Sequence, residues 1–144
     1  MKVSKLAQVP PPVVSTTDTV VEAVRIMQEV RVGAAVVLDG DQLAGIFSER
    51  DIMLRVVGAG KDPATTPVSE VMTCDPESVG GDTEDAAALE LMVRKHIRHL
   101  PIVDKQGTLI GLVSIRNLLH SHVDDLVDQL NSIEAYFTAD GPGG

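Results

Sequence analysis

Two short stretches carry residue types suited to holding a ligand: Ser48-Glu49-Arg50-Asp51 and Ser114-Ile115-Arg116-Asn117, each three residues beyond a glycine, Gly45 and Gly111. Serine followed three residues later by an acid or an amide has the spacing of a helix-capping box. The same spacing serves an anion site, because a helix start presents unpaired N–H groups and the positive end of the dipole. Serine hydroxyls then reach an oxyanion, and the Asp51 carboxylate accepts from a pair of hydroxyls. Arg50 and Arg116 add positive charge beside each helix start. Asn117 offers an amide where the first stretch has a carboxylate, so it is the weaker acceptor. Arg98-His99, just before Leu100-Pro101, places further positive charge near the second stretch.

Other chemistries lack their residues. His96 and His99, or His120 and His122 with Asp124 and Asp125, fall in different elements and close no metal-ligand set. Cys74 is the only cysteine, which excludes an internal disulfide and leaves an inert thiol as the default. There is no Walker loop, Gly-x-Gly-x-x-Gly or Ser-His-Asp order, so no catalytic constellation is found and the chain reads as a non-enzyme. Its 144 residues fit one domain, and 12 Lys+Arg against 21 Asp+Glu give a net charge of −9. That charge argues against nucleic acid and anionic membrane as partners. Aromatics at 2 % remove base-stacking platforms. The N-terminal stretch lacks a signal-peptide core and no apolar run reaches a membrane span, so a cytoplasmic location is expected.

The two stretches recur because the chain contains one unit twice. Asp18-Thr19, Ala23, Met27, Asp39, Leu43 and Gly45-x-x-Ser48-x-Arg50 match Asp82-Thr83, Ala88, Met92, Asp104, Leu109 and Gly111-x-x-Ser114-x-Arg116. Each unit opens on a helix whose apolar residues recur at i, i+3, i+4, i+7, with Asp18 and Asp82 as N-cap candidates. A buried strand comes next (Ala35 to Leu38; Leu100 to Val103), then a turn, then a second strand (Leu43 to Phe47; Leu109 to Val113). The second helix starts at Ser48 or Ser114. Neither unit is large enough to close its own core, so the two must pack as one pseudo-symmetric α/β (α+β) domain of β-α-β-β-α repeats. The repeats are placed at 9–57 and 70–123, with a Gly/Pro/Thr-rich linker at 58–69 and a helix and disordered tail at 124–144. Arg98-His99 corresponds to Gly33-Ala34, which has no charge.

This layout resembles a tandem pair of CBS (cystathionine β-synthase) domains, a Bateman module. The match rests on the duplicated Gly-x-x-Ser-x-Arg stretches, on Val71-Met72-Thr73 and on Leu100-Pro101-Ile102-Val103-Asp104. It covers most of the chain and leaves little room for a fused catalytic domain. The resemblance implies an adenosyl ligand (AMP, ADP, ATP, NAD or S-adenosylmethionine) held between the repeats, and a regulatory role toward an unidentified partner protein, reporting energy or redox state. It implies Asp51 and Asn117 at the ribose, and Ser48, Ser114, Arg50, Arg98, Arg116 and His99 at the phosphates. Ile46, Ile97, Ile110 and Met72 then wall the adenine. Thr73 would contact the adenosine, with its counterpart near Ser15, and Ala34 would close the Asn117 cleft. On this reading the Asp51 cleft binds more tightly, by about 1 kcal/mol. The alternative is a ligand-free scaffold of the same fold.

Beyond Asn117, Leu119, Val123, Leu126, Leu130, Ile133 and Phe137 recur at 4-3-4-3-4 spacing, the seam of a coiled coil, with Asp124, Asp125, Asp128 and Glu134 off it. A homodimer is expected. The end, Gly141 to Gly144, is expected to be disordered.

Overall fold

The computed structural model describes residues 1–139, with side chains through Tyr136. The expected disordered end and the side chain of Phe137 lie outside the described part. Strands β1 (Val13–Ser15), β2 (Ala34–Asp39), β3 (Gln42–Ser48) and β4 (Thr73–Cys74) form one sheet in that order. Strands β5 (Val79–Gly80), β6 (His99–Val103) and β7 (Leu109–Ser114) form the other. β1–β2 and β5–β6 pair parallel, and the remaining neighbours are antiparallel. Helices α1 (Val20–Val30) and α3 (Asp85–Lys95) cross between the parallel strands, and α2 (Glu49–Asp51) and α4 (Ile115–Ala139) come after the second hairpin strands. The β-α-β-β-α order thus occurs twice. Even the irregularities repeat, with register shifts at Val37/Leu38 and Ile102/Val103. After Asp51 the first copy's helix widens into π turns over Ile52–Val57, where Gly58 N–H reaches back to Met53 O.

The first helix of each copy starts one or two residues later than the aspartates suggest. Thr19 caps α1: its hydroxyl accepts from Glu22 N–H at 3.2 Å, and Glu22 Oε2 accepts from Thr19 N–H at 3.0 Å. Thr19-x-x-Glu22 is a full capping box, which outcompetes a lone aspartate for the helix start. Asp18 instead turns back to accept from Ser15 N–H at 2.8 Å. In the second copy Glu84 is the N-cap and Asp82 is exposed beside Lys2.

The two copies exchange their lead-in segments. Val3–Lys5 and Val68–Glu70 form matching 3-10 turns. Val3, Leu6 and Ala7 pack into the second copy's core against Met92, Leu100 and Leu118. Val68, Val71 and Met72 pack into the first copy's core against Met27, Val37 and Phe47. Each lead-in then adds backbone pairing to the sheet it joins: Gln8 bridges Leu112, as Thr73 pairs with Ile46. The boundaries placed at residues 9 and 70 cut across this exchange. A third apolar layer, Ala34, Val36, Ile46 and Leu112, joins the two sheets.

This exchange explains the glycine of each Gly-x-x-Ser stretch. A Cβ on Gly45 would stand 2.6 Å from Thr73 O and 2.8 Å from Met72 Sδ, and one on Gly111 would stand 3.1 Å from Gln8 O. At Gly45 only a residue without a side chain lets the lead-in lie against the hairpin, whereas at Gly111 a methyl would press on it.

Candidate functional site

A concavity of about 920 Å³ lies where the end of α1, the start of α2, the start of β6 and the start of α4 converge. Of the residues singled out in the sequence, it brings together Ala34, Arg98, His99, Ser114, Arg116 and Asn117. Its apolar wall is Val24, Met27, Val32, Ile52, Leu112 and Ile115, and Gln8, Arg31 and Glu49 complete the polar rim. Three arginines from separate parts of the chain therefore line one cleft. Arg31 holds its place because it ends α1 in the left-handed conformation, φ 56°.

At the start of α4 a capping box also lines the cleft. Asn117 Oδ1 accepts from Ser114 N–H at 3.0 Å and from the Ser114 hydroxyl at 2.8 Å, and Ser114 Oγ accepts from Asn117 N–H at 3.1 Å. With that oxygen committed, the exposed Asn117 offers its NH2 donors to the cleft. Ile115 N–H is also used, donating to Arg98 O at 2.7 Å. Most of the anion-binding capacity here thus resides in the arginine side chains rather than in bare helix N–H groups.

The first copy's site is built differently. Asp51 is only 6 % exposed. Its Oδ2 accepts from Ser48 N–H at 3.0 Å and from the Ser48 hydroxyl at 3.2 Å, and its Oδ1 accepts from the Thr73 hydroxyl at 3.2 Å. Arg55, which the sequence reading did not single out, lies 3.7 Å from Asp51 Oδ1 and donates to Met72 O at 2.6 Å. Asp51, Ser48 and Thr73 thus meet as a clamp between α2 and the lead-in, with both carboxylate oxygens hydrogen-bonded within the protein.

Several other expected positions lie elsewhere. Arg50 is exposed and outside the cleft wall. Ile46 is in the layer between the sheets, Ile97 packs on the second core and Met72 on the first. Ile110 is 38 % exposed on β7. None of these four walls the cleft, because each points toward a core or away from it. Ser15 is on β1, hydrogen-bonded through its backbone to Asp18, and is not the counterpart of Thr73. Gln8 is. The signal for it was in the sequence, since Val3-Ser4 and Val68-Ser69 stand at the same separation as Gln8 and Thr73.

His99 is half-buried at the cleft, and burial pushes its pKa below the usual 6.5. Glu49 opposes that shift, and Arg98 adds to it. A depressed folded-state pKa means that the neutral ring favours the fold above 6.5 and that this contribution is lost as pH falls through the folded value. Chemical denaturation at about pH 7.5 and about pH 5.5 should therefore show a larger loss of stability for the wild type than for His99→Gln. Equal losses would remove His99 as the titrating group.

The CBS domain model matches residues 3–58 and 68–124, which begin at the two lead-in segments. The chain belongs to the CBS domain family. It is 40 % identical over 110 residues to the CBS domain-containing protein CBSCBSPB1 of Arabidopsis thaliana, covering 76 % of this chain. It spans only 20 % of that relative's length. Among solved structures, a Burkholderia ambifaria protein with CBS domains superposes with a TM-score of 0.79 at 34 % identity, covering 87 % of this chain and 96 % of the other. A CBS domain protein from Pyrobaculum aerophilum, solved in complex with AMP, gives 0.74 at 32 % identity over 81 % and 89 %. The fold is the CBS pair, or Bateman module, with a C-terminal helix. Among the described residues no helix is long and apolar enough to cross a membrane.

Proposed function

We propose that this CBS pair is a non-catalytic regulatory module that binds an adenosyl nucleotide in the Asn117 cleft and acts on a partner protein as a homodimer. The observation that carries the reading is the convergence of Arg31, Arg98 and Arg116 on one apolar-walled concavity in a chain of net charge −9. Positive charge gathered against that overall balance suits a phosphate-bearing ligand. The apolar wall suits a base, and the Asn117 amide suits a ribose oxygen. The AMP complex of the Pyrobaculum protein supports the same class of ligand. Glu49 at the rim opposes accumulated phosphate charge, which favours AMP over ATP.

Occupancy is unequal in the opposite sense to the sequence expectation. The Asp51 carboxylate is engaged by Ser48 and Thr73, so the Asn117 cleft is the tighter of the two. Replacing Arg98 by alanine should weaken AMP by about 1.5–3 kcal/mol in a calorimetric titration and weaken adenosine far less. Equal loss for both ligands would assign Arg98 to packing and remove the phosphate from this cleft.

A further inference from the structure

The two copies part four residues past Asp51 and Asn117. The first carries Arg55 there, and the second carries Ser121. Arg55 lies where the helix widens into π turns over Ile52–Val57, whereas α4 runs on as an α-helix through Ser121. Short π turns of this kind recur at functional sites.

The Arg55 guanidinium spans the gap between its own helix and the lead-in. Its Nη1 donates to Met72 O at 2.6 Å and to Val71 O at 3.5 Å, and stands 3.7 Å from Asp51 Oδ1. These are three acceptors, two backbone carbonyls and a carboxylate. An adenine nucleoside arrives with donors, the amine of its base and the hydroxyls of its ribose. Arg55 thus satisfies from within the chain the groups that such a ligand would use. In the second copy the matching carbonyls are those of Leu6 and Ala7, and among the described residues no side chain donates to either. The concavity follows the same division: Ser114, Arg116 and Asn117 line it, and Ser48, Asp51, Arg55 and Thr73 do not.

We propose that Arg55 is a plug built into the first site, so that the chain takes up one nucleotide, in the Asn117 cleft. The inference rests on the nucleotide reading given above. A ligand entering the first site must displace a charge-assisted hydrogen bond and the cation beside a nearly buried carboxylate. Arg55 itself is half-exposed and can leave without opening the core, because Asp51 keeps its bonds from Ser48 and Thr73. A serine at position 55, as the second copy has at 121, should therefore free the site while the fold stands.

Calorimetry with AMP on the full chain counts the sites. The wild type should bind one AMP per chain below millimolar concentration. Arg55→Ser should bind two, the added event about 10-fold or more tighter than any second event in the wild type. Arg55→Met, which keeps a long stem and loses the donors, should match it. In nitrogen-edited NMR spectra the amide signals of Asp51 and Thr73 should move with AMP in both variants and stay in place in the wild type. Two AMP per wild-type chain, movement of those signals in the wild type, or a single AMP in both variants would overturn the plug and leave the nucleotide reading standing. One AMP in the variants and none in the wild type would keep the plug and overturn the Asn117 cleft. No binding by any of the three proteins would overturn the nucleotide reading, and the plug with it.

Discussion

Asp51→Ala should cost about 3 kcal/mol of folding stability and leave AMP affinity nearly unchanged. The substitution removes the N3 carboxylate of the Ser48 capping box and strands the donors of Ser48 and Thr73 that it holds at 3.0–3.2 Å. Loss of a cap costs about 1 kcal/mol, and unsatisfied part-buried donors add about 1–3 kcal/mol. Asn117→Ala should reverse the pattern. Its box is exposed, so stability falls by only about 1 kcal/mol, while AMP binding suffers. Denaturant midpoints and calorimetry on the two variants separate these roles. If Asp51→Ala abolishes binding while remaining folded, the clamp reading of Asp51 is wrong.

Gly45→Ala should be nearly as damaging, at about 2–3 kcal/mol. The added methyl meets a backbone oxygen at 2.6 Å and the Met72 sulfur at 2.8 Å, so the lead-in segment must move away from β3. Gly111→Ala meets Gln8 O at 3.1 Å and should cost about 1 kcal/mol. An equal and small effect at both glycines, read as denaturant midpoints, would show that the lead-in segments are loosely held.

Much of the architecture is written locally and could be read from the chain. The duplicated β-α-β-β-α order comes from hydrophobic periodicity, and the Ser48/Asp51 and Ser114/Asn117 boxes from spacing alone. The exchange of lead-in segments escaped because two three-residue 3-10 turns carry no periodicity. The Pro10-Pro11-Pro12 run then hid the register that links Gln8 to Thr73. Arg31 escaped for another reason: it reaches the cleft from the end of α1, and nothing in its neighbours along the chain marks it. Asp51 shows the converse. Its residue type suggests a ligand contact, and its spacing says nothing of the hydrogen bond that Thr73, 22 residues away, donates to the carboxylate.

Thermal or denaturant unfolding of the full chain with added AMP decides whether the arginine-lined cleft holds an adenosyl nucleotide. At about 100 times its Kd, AMP should stabilise the fold by about 2.7 kcal/mol, and Arg98→Ala should erase most of that gain. No stabilisation by AMP, ADP, ATP, NAD or S-adenosylmethionine at millimolar concentration would mean that the cleft binds none of them and would leave a ligand-free scaffold.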